Sequence, residues 1–330
     1  MKRVFLFFAV CALFAAALRT PVSAGWTVVN LRPSGAGSYV EGVSASQQVG
    51  LAFVSGSTRA TLWSGTGASQ VDLNPSGGTS STAWGVSGSQ QVGDAVVGGV
   101  DRASLWTGTA ASWVDLNPSG SASSVAWGVS GGQQVGNASV GGSSHASLWS
   151  GTAASWVDLN PAGATASDAS GISGNQQAGG ATIGGSQHAS LWNGTAASWV
   201  DLNPSGATYS FASGISGGQQ AGSATIGGSQ HAGLWNGTAA SWVDLNPSGA
   251  TISAAGAVSG GRQAGSAKIG NIWRAGLWSG TAASWVDLNA LLPTGVYSYS
   301  SANSIYVSAG EIWVGGAAYK KSSGYNQAIL

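Results

Sequence analysis

Short stretches of alternating apolar and polar residues recur along the chain and are separated by clusters of Gly, Ser, Asn and Pro. Such alternation is typical of β-strands, and clusters of turn-forming residues mark where strands end. In one representative stretch we predict strands over residues 155–159, 169–173, 176–183 and 188–192. The pattern therefore predicts an all-β protein.

The predicted strands belong to a repeat with a period of 43 residues. A Leu-Trp pair and a Val-Asp-Leu-Asn segment both return at this spacing. Four short strands in a unit of this length are typical of a propeller blade. A Gly-Val-Ser or Gly-Ile-Ser segment occurs once in each unit and indicates seven units, the last of which has a degenerate copy. Its central residues are Val43, Val86, Val129, Ile172, Ile215, Val258 and Ile305.

The two ends of the repeat array lack complementary strands. Residues 26–35 resemble the Trp-Val-Asp-Leu-Asn-Pro-Ser-Gly segment without a preceding Leu-Trp strand, and residues 326–330 resemble a Leu-Trp strand without its successor. Pairing them would complete a seventh blade and remove two exposed strand edges. An open solenoid or β-helix is the alternative, and it would need polar caps. We predict a closed seven-bladed β-propeller of four-stranded repeats over residues 25–330.

Alternation within one repeat suggests how the blades pack. Over residues 155–159 it places Trp156 and Asp158 on one face and Val157 and Leu159 on the other. Each blade would then have an aromatic face and an aliphatic face. Because stacked blades bury both faces, every large repeated side chain has a packing role.

A hydrogen-bond donor precedes the Ala of every Leu-Trp strand. The donors are Arg59, Arg102, His145, His188, His231, Arg274 and Gln327. If the chain turns at Gly151 and Thr152, His145 lies opposite Asp158, and each blade would hold one buried donor–carboxylate pair. Metal ligation or catalysis by these pairs is the alternative. Groups repeated around a ring do not converge on one coordination sphere, so we expect neither a metal nor a cofactor.

The composition narrows the function further. Lys and Arg number 11 and Asp and Glu number 11, and charged residues make up 7% of the chain against the usual ~25%. This balance gives no basic surface for nucleic acid. The chain has 54 glycines, but its 16 tryptophans and 43% hydrophobic residues favour a packed core over disorder.

Few side chains are left for catalysis. Gly-x-Ser-x-Gly occurs at residues 128–132 and 214–218, but a nucleophile elbow needs a strand, a sharp turn and a helix, which this repeat does not predict. Paired carboxylates of a glycosidase stay open, although no spacing indicates them. We predict a protein that is not an enzyme, with an extracellular hydrolase or lyase as the alternative. The acids outside the repeated Asp position are Glu41, Asp94, Asp101, Asp168 and Glu311.

The N-terminus has the features of an export signal. Lys2 and Arg3 precede an apolar run over residues 4–18, and small residues at 22–24 suit a signal peptidase. A membrane anchor is the alternative, but the run is shorter than the ~20 residues of a bilayer span. We predict a signal peptide over residues 1–24, which contains the only cysteine, Cys11, and a secreted, disulfide-free, monomeric protein in the periplasm or outside the cell.

The motifs of the repeat resemble the HAF family of probable extracellular bacterial repeats. The matching stretches are His188–Trp192, residues 200–202, 214–216 and 219–222. The likeness covers nearly all of the chain after residue 24, with Ser190 where the family name expects Phe and Asn-Pro-Ser-Gly where members continue with Gly and Thr. The resemblance implies an exported repeat protein with no established activity to transfer.

These observations favour a binding or scaffold propeller whose extracellular partner is a glycan or a protein. Residues that only build blades should repeat, whereas residues that contact a unique ligand need not. The largest break is the longer loop over residues 290–299. We predict a binding surface there, with an unselected loop extension as the alternative. Trp273, Arg262 and Lys268 also break the pattern in the adjoining segments, and we predict that they form the surface together with Tyr297 and Tyr299 of the loop.

Overall fold

The computed structural model describes residues 25–32 and 37–330 as a ring of seven antiparallel sheets. The predicted seven-bladed β-propeller is confirmed. The predicted signal peptide, residues 1–24, lies outside the described residues. Over the described ranges the helical segments are short 3₁₀ turns, and none has the length and apolar character needed to cross a bilayer.

Each blade is a meander in which consecutive strands are neighbours. Blade 1 contains Ser38–Val43, Gln48–Val54, Ser57–Trp63 and Val71–Asp72. Blade 2 contains Gly78–Ser87, Gln90–Val97, Val100–Trp106 and Val114–Asp115. Blade 3 contains Ser124–Ser130, Gln133–Val140, Ser143–Trp149 and Val157–Asp158. Blade 4 contains Ala166–Ser173, Gln176–Ile183, Ser186–Trp192 and Val200–Asp201.

The remaining blades follow the same order. Blade 5 contains Ala207–Ser216, Gln219–Ile226, Ser229–Trp235 and Val243–Asp244. Blade 6 contains Ala250–Ser259, Arg262–Ile269, Ile272–Trp278 and Val286–Asp287. Blade 7 contains Tyr297–Ser308, Glu311–Lys320 and Tyr325–Ile329. A 3₁₀ turn precedes each two-residue strand, and another spans Leu288–Leu291. The repeated turns are Gly67–Ser69, Ala110–Ser112, Ala153–Ser155, Ala196–Ser198, Ala239–Ser241 and Ala282–Ser284.

The first strand of every blade lies innermost. First strands of consecutive blades contact one another around the whole ring, and that of blade 7 contacts that of blade 1. We call the end of the ring where first strands begin the upper face; it also carries the turns between second and third strands. The lower face carries the turns between first and second strands.

The N-terminal segment closes the ring by adding the fourth position of blade 7. The amide of Val29 donates to the carbonyl of Leu330 at 2.7 Å, and the amide of Leu330 donates back to Val29 at 2.9 Å. Asn30 forms a bridge with Ile329, and the Leu31 side chain is fully buried. The predicted pairing of the chain's terminal strands is confirmed.

Large apolar side chains fill the spaces between blades. The repeated Trp149 of blade 3, for example, packs against Val92 and Leu105 of blade 2. Six tryptophans at this position are completely buried. Burying an aromatic side chain of this size contributes roughly 1.5–3 kcal/mol, so the interfaces between blades supply much of the stability.

A buried serine on each first strand joins neighbouring blades. Between blades 1 and 2, the amide of Ala60 donates to Oγ of Ser81 at 2.9 Å, and this hydroxyl donates to Oδ1 of Asn74 at 2.8 Å. The carboxylate of Asp72 accepts a hydrogen bond from the backbone N–H of Asn74 at 2.8 Å. The repeated Val-Asp-Leu-Asn segment is therefore explained by contacts that hold one blade to the next.

The fourth strand is shorter than the sequence pattern predicts. Residues 153–155 form a 3₁₀ turn and only Val157–Asp158 is extended. Val157 is 38% exposed whereas Leu159 is fully buried, so the prediction that they share a face is wrong. The reason is local: Oδ1 of Asp158 accepts the amide of Asn160 and bends the chain at Leu159.

The loop before the fourth strand is also longer than a two-residue hairpin. The amide of Gly151 donates to Oε1 of buried Gln134, and the amide of Ser150 donates to Oγ of Ser155. Asp158 therefore pairs with Ser147 in the sheet and not with His145. The first strand of blade 4 starts three residues earlier than predicted, at Ala166, whereas Gln176–Ile183 has the predicted bounds.

Candidate functional site

Every first strand contains a β-bulge at the same place. At this place one residue of each strand has no partner on the second strand, and the register shifts by one across it. The first strands of blades 2, 5, 6 and 7 have a second shift near their start. A bulge bends the strand and redirects a side chain, which is why bulges are frequent beside binding sites. The bulged residues are Glu41, Trp84, Trp127, Ser170, Ser213, Gly256 and Asn303.

The bulged position is surrounded by positions that repeat. The residue before it is Val40 in blade 1 and Ala in the other six blades, and all seven are buried. The residue after it is Gly in five blades. The bulged residue itself is Glu, Trp, Trp, Ser, Ser, Gly and Asn in turn. The framework around the bulge is therefore constant, whereas the bulged side chain differs among the blades.

The seven bulges meet around the centre of the ring. A Cβ placed on Gly42 would lie 2.9 Å from the carbonyl oxygen of Trp84, and one on Gly85 would lie 2.9 Å from that of Trp127. Asn303 of blade 7 donates from Nδ2 to the carbonyl of Val40 at 3.1 Å. This close approach explains the glycine after the bulge and brings the variable residues together.

Two tryptophans form the aromatic part of this region. The ring centroids of Trp84 and Trp127 are 4.9 Å apart and their planes are inclined at 52°. Nε1 of Trp84 donates to Oδ1 of Asp94 at 2.6 Å, and Nε1 of Trp127 donates to Oδ1 of Asn137 at 2.9 Å. Both acceptors lie on the second strands of their blades, and these hydrogen bonds hold the indole rings in place.

Polar contacts continue to blade 4. Nδ2 of Asn137 donates to Oγ of Ser144 at 2.9 Å, and that hydroxyl donates to Oδ1 of Asp168 at 2.9 Å. On the other side, Nδ2 of Asn303 donates to Oε2 of Glu41 at 2.9 Å. Unrepeated polar and aromatic groups thus extend over five consecutive blades. We call six of them the inner arc: Glu41, Trp84, Asp94, Trp127, Asn137 and Asp168.

The three carboxylic acids of the inner arc have raised pKa values. Removal from water raises the pKa of Glu41 to about 7, although the Asn303 hydrogen bond opposes the shift. Burial likewise raises the pKa of Asp94 to about 6, with the Trp84 hydrogen bond opposing it and the Asp101 charge adding to it. Burial raises the pKa of Asp168 as well. Near neutral pH this region therefore holds exchangeable protons.

The repeated donor–acid pairs lie away from the inner arc, beside the short outer strands. Nδ1 of His145 lies 2.8 Å from Oδ2 of Asp158, so the predicted contact is confirmed despite the shifted register. The side chains are 19% and 38% exposed, so the expected complete burial is wrong. Among the described residues no three His, Cys, Asp or Glu side chains form a group that could hold a metal ion.

The structure separates the binding residues predicted from the long loop. Lys268 and Trp273 are directly opposed on neighbouring strands of blade 6 at the upper face, and Trp273 is 39% exposed. Tyr299 stacks on Tyr319 with a centroid distance of 5.0 Å. Arg262 lies at the opposite end of the same strand from Lys268. Its guanidinium donates a hydrogen bond to the Ser279 hydroxyl at the lower face.

Tyr297 lies in blade 7 beside the long loop. Its hydroxyl donates to Oε1 of Gln327 at 3.1 Å, and burial raises its pKa. Four of the five predicted residues thus share the upper face of blades 6 and 7, and Arg262 does not. Whether this surface binds a ligand stays a prediction.

A cavity lies outside the inner arc, between blades 6 and 7. It has a volume of about 460 Å³ and its walls include Trp26, Leu288, Leu292 and Trp313. Glu311 is the one ionisable side chain among the described residues that line it. Because this cavity offers little polar chemistry, we regard the inner arc as the stronger candidate site.

Sequence reasoning missed the inner arc although a signal was present. The residue before the Gly-Val-Ser segment changes character between copies, whereas the Ala before it and most of the segment itself repeat. The rule that unique contacts interrupt a repeat applies to this column as much as to a long loop. A bulge shifts the pairing by one residue without changing the repeat length, so the sequence did not show that these residues converge.

Comparisons with known proteins agree on the fold. No protein-family model and no curated protein matches the sequence, so the resemblance to the HAF repeats stays a prediction. Similar solved structures include a puromycin-hydrolysing peptidase from Mycobacterium tuberculosis, which is 13% identical with a TM-score of 0.54 over 91% of this chain and 54% of its own. A puromycin hydrolase is 15% identical with a TM-score of 0.51 over 91% and 52%.

TolB from Acinetobacter baumannii is 11% identical with a TM-score of 0.48 over 73% of this chain and 62% of its own. This chain spans 62% of the length of that protein and about half of the length of the two hydrolases. At such low identity the likeness concerns the fold alone.

Proposed function

We propose that the protein is an exported ligand-binding propeller that takes a glycan at its inner arc. The observation that carries the proposal is the gathering of unrepeated aromatic and polar side chains at and beside the bulges, where the first strands of the blades converge. A ligand site needs apolar surface and a few well-placed polar groups, and the inner arc supplies both.

The chemistry of the inner arc suits a sugar. Half-buried indole rings of Trp84 and Trp127 offer flat apolar surface to the C–H face of a pyranose. Carboxyl and amide groups of Glu41, Asp94 and Asn137, with Asn303 beside them, offer donors and acceptors to hydroxyl groups. The hydrogen bonds on both indole nitrogens keep the rings fixed before a ligand arrives, which reduces the entropy lost on binding.

A hydrolase or lyase on the same ring is the second candidate, and one observation favours it. With a pKa of about 7, Glu41 carries a proton in much of the protein at neutral pH and is suited to general acid catalysis. A hydrolase would also need a second carboxylate across the scissile bond, for which Asp94 of the adjacent blade 2 is the candidate.

The test is a glycan array followed by calorimetric titration with neutral hexasaccharides of the cello, xylo, chito and malto series. We expect binding by the wild type and a loss of about tenfold or more when both tryptophans are replaced in a Trp84→Phe, Trp127→Phe variant. The matched control is Trp273→Phe, which removes an indole from the upper face and should bind as the wild type does. Equal affinity of all three proteins would overturn the proposal.

The same saccharides separate binding from hydrolysis. A binding protein leaves the number of reducing ends unchanged over a day of incubation. If reducing ends accumulate, and the Glu41→Gln variant abolishes their release without abolishing binding, the hydrolase is correct and the pure binding function is wrong.

A further inference from the structure

The turns between second and third strands form a ring of hairpins on the upper face, and most are small and uncharged. In blades 3, 4 and 5 the turn is Gly-Gly followed by Ser. Lys268 of blade 6 takes a position held by Ser139, Thr182 and Thr225 in those blades. Blade 7 replaces the turn with a longer one that contains Lys320 and Lys321. Two adjacent hairpins therefore carry all three lysines of the described residues.

The same two hairpins carry exposed aromatic side chains. Trp273 is directly opposite Lys268 in the sheet and is 39% exposed. Tyr325 is directly opposite Lys320 and is 54% exposed. Cross-strand neighbours project on the same side of a sheet, so each hairpin presents one ring beside one ammonium group. We call these five residues the lysine–aromatic surface: Lys268, Trp273, Lys320, Lys321 and Tyr325.

Over the residues that the structure describes, the charges of this surface are not neutralised by ion pairs. The basic side chains that contact a carboxylate are Arg59, Arg102, Arg274 and three histidines, and over the described residues none of the lysines joins them. Acidic residues outnumber Lys and Arg over the described ranges. Three unpaired ammonium groups on adjacent hairpins are therefore a local positive field on a ring that is otherwise slightly acidic.

We propose that the lysine–aromatic surface binds an acidic polysaccharide whose sugar rings carry carboxylates. Ammonium groups attract the carboxylates, and the exposed faces of Trp273 and Tyr325 pack against the apolar faces of the sugar rings. A chain molecule fits because the groups are spread over two hairpins and not gathered in a cavity. This surface lies at the edge of the upper face and is independent of the glycan proposed for the inner arc.

The probes are polygalacturonate and, as the uncharged comparison, dextran of similar length. We expect the wild type to bind polygalacturonate and not dextran, with affinity that falls by about tenfold between roughly 50 and 300 mM NaCl because salt screens the lysines. The Lys268→Gln, Lys320→Gln, Lys321→Gln variant should lose about tenfold or more in affinity. Trp273→Ala should weaken binding at both salt concentrations.

Two controls make the outcome decisive. Arg262→Gln removes an exposed cation from the lower face and should bind polygalacturonate as the wild type does. The Trp84→Phe, Trp127→Phe variant should also bind it unchanged, so failure of the inner-arc proposal and failure of this one are distinguishable. If the triple variant does not fold, the exposed Lys321→Gln alone should still weaken binding measurably.

Three results would overturn the proposal. Equal binding to dextran would show that charge is not recognised. An unchanged affinity of the lysine variants would place the site elsewhere. Tighter binding of a single-stranded oligonucleotide than of polygalacturonate, lost in the same variants, would assign the surface to nucleic acid.

Discussion

Nε1 of Trp84 donates a hydrogen bond of 2.6 Å to Oδ1 of Asp94, and the neighbouring blade repeats this contact with Trp127 and Asn137 at 2.9 Å. The two blades thus hold the same indole geometry with an acid in one and an amide in the other. Only the acid can gain and lose a proton, so blade 3 provides a natural reference for the effect of charge in blade 2.

The first prediction concerns pH. Because the pKa values of Asp94 and Glu41 rise to about 6 and about 7 on folding, the folded protein retains protons that the unfolded chain loses. The stability that comes from these retained protons is present at low pH and is lost as the pH rises from about 4 to about 7. We expect the free energy of unfolding to decrease by about 1–3 kcal/mol between about pH 5 and pH 7.5, measured by urea denaturation.

The matched variant is Asp94→Asn, Glu41→Gln, which keeps the size of both side chains and reproduces the amide of blade 3. It should have a shallower pH dependence over the same interval, and the slope that persists should come in part from Asp168, whose pKa is also raised. An identical pH dependence in wild type and variant would show that neither acid titrates in this range.

The second prediction concerns ring closure. Leu31 is completely buried where the N-terminal segment completes blade 7, so Leu31→Ala should reduce the free energy of unfolding by about 2–5 kcal/mol. Deletion of residues 25–32 should destabilise the whole ring further, because it exposes the edge of the last strand. Val28→Ala is the control, since Val28 is 39% exposed and its loss should cost less than about 0.5 kcal/mol. Thermal denaturation distinguishes these cases, and equal melting temperatures would argue against closure.

The third prediction concerns the outer donor–acid pairs. Asp158→Ala leaves both Nδ1 of His145 and the amide of Asn160 without their acceptor, and should cost about 1–2 kcal/mol. Asp158→Asn keeps one side-chain oxygen and should cost less. Blade 7 already uses such a neutral pair, since Nδ2 of Asn30 donates to Oε1 of Gln327 at 2.8 Å. Guanidinium denaturation measures both variants, and no loss in the alanine variant would mean that the pair does not stabilise the blade.

The fourth prediction concerns the glycine that faces each bulge from the second strand. A Cβ on Gly179 would overlap the carbonyl oxygen of Asp168, so Gly179→Ala should cost about 1–3 kcal/mol or more. Gly256 lies at a bulged position where no atom comes closer than 3.5 Å to an added Cβ. Gly256→Ala should therefore be neutral or slightly stabilising. A comparison of the two denaturation midpoints tests whether the bulge, and not glycine content as such, sets this requirement.

The fold was predictable because its cause is periodic. The 43-residue spacing, the strand over residues 176–183 and the complementary terminal strands follow from local pattern and from the cost of unpaired edges. The loop before Val157 was not predictable, because its shape depends on a hydrogen bond from Gly151 to Gln134, 17 residues earlier. The contact of His145 with Asp158 was found from residue types even though the assumed register was wrong.

The assembly of the inner arc could not be predicted from the sequence, because its contacts join residues on different strands and different blades. Asp94 and Trp84 are ten residues apart on neighbouring strands, and only the bulge brings the indole over the second strand. Asp168 belongs to blade 4 but contacts Ser144 of blade 3, so its role depends on how two blades stack. Periodicity describes what blades have in common, whereas the inner arc consists of what differs between them.

Under the proposed binding function, the bulged position of each first strand can change for recognition without changing the contacts that stabilise the ring. The serine links between blades, the closing strand and the buried tryptophans involve other positions, so a substitution at Ser170 or Ser213 would leave all of them intact. Seven such positions can be altered one at a time, in the manner of the variable loops of an immunoglobulin domain on its constant framework. The ring is therefore a scaffold on which new specificities could be selected by point mutation, without insertion, deletion or rearrangement of the chain.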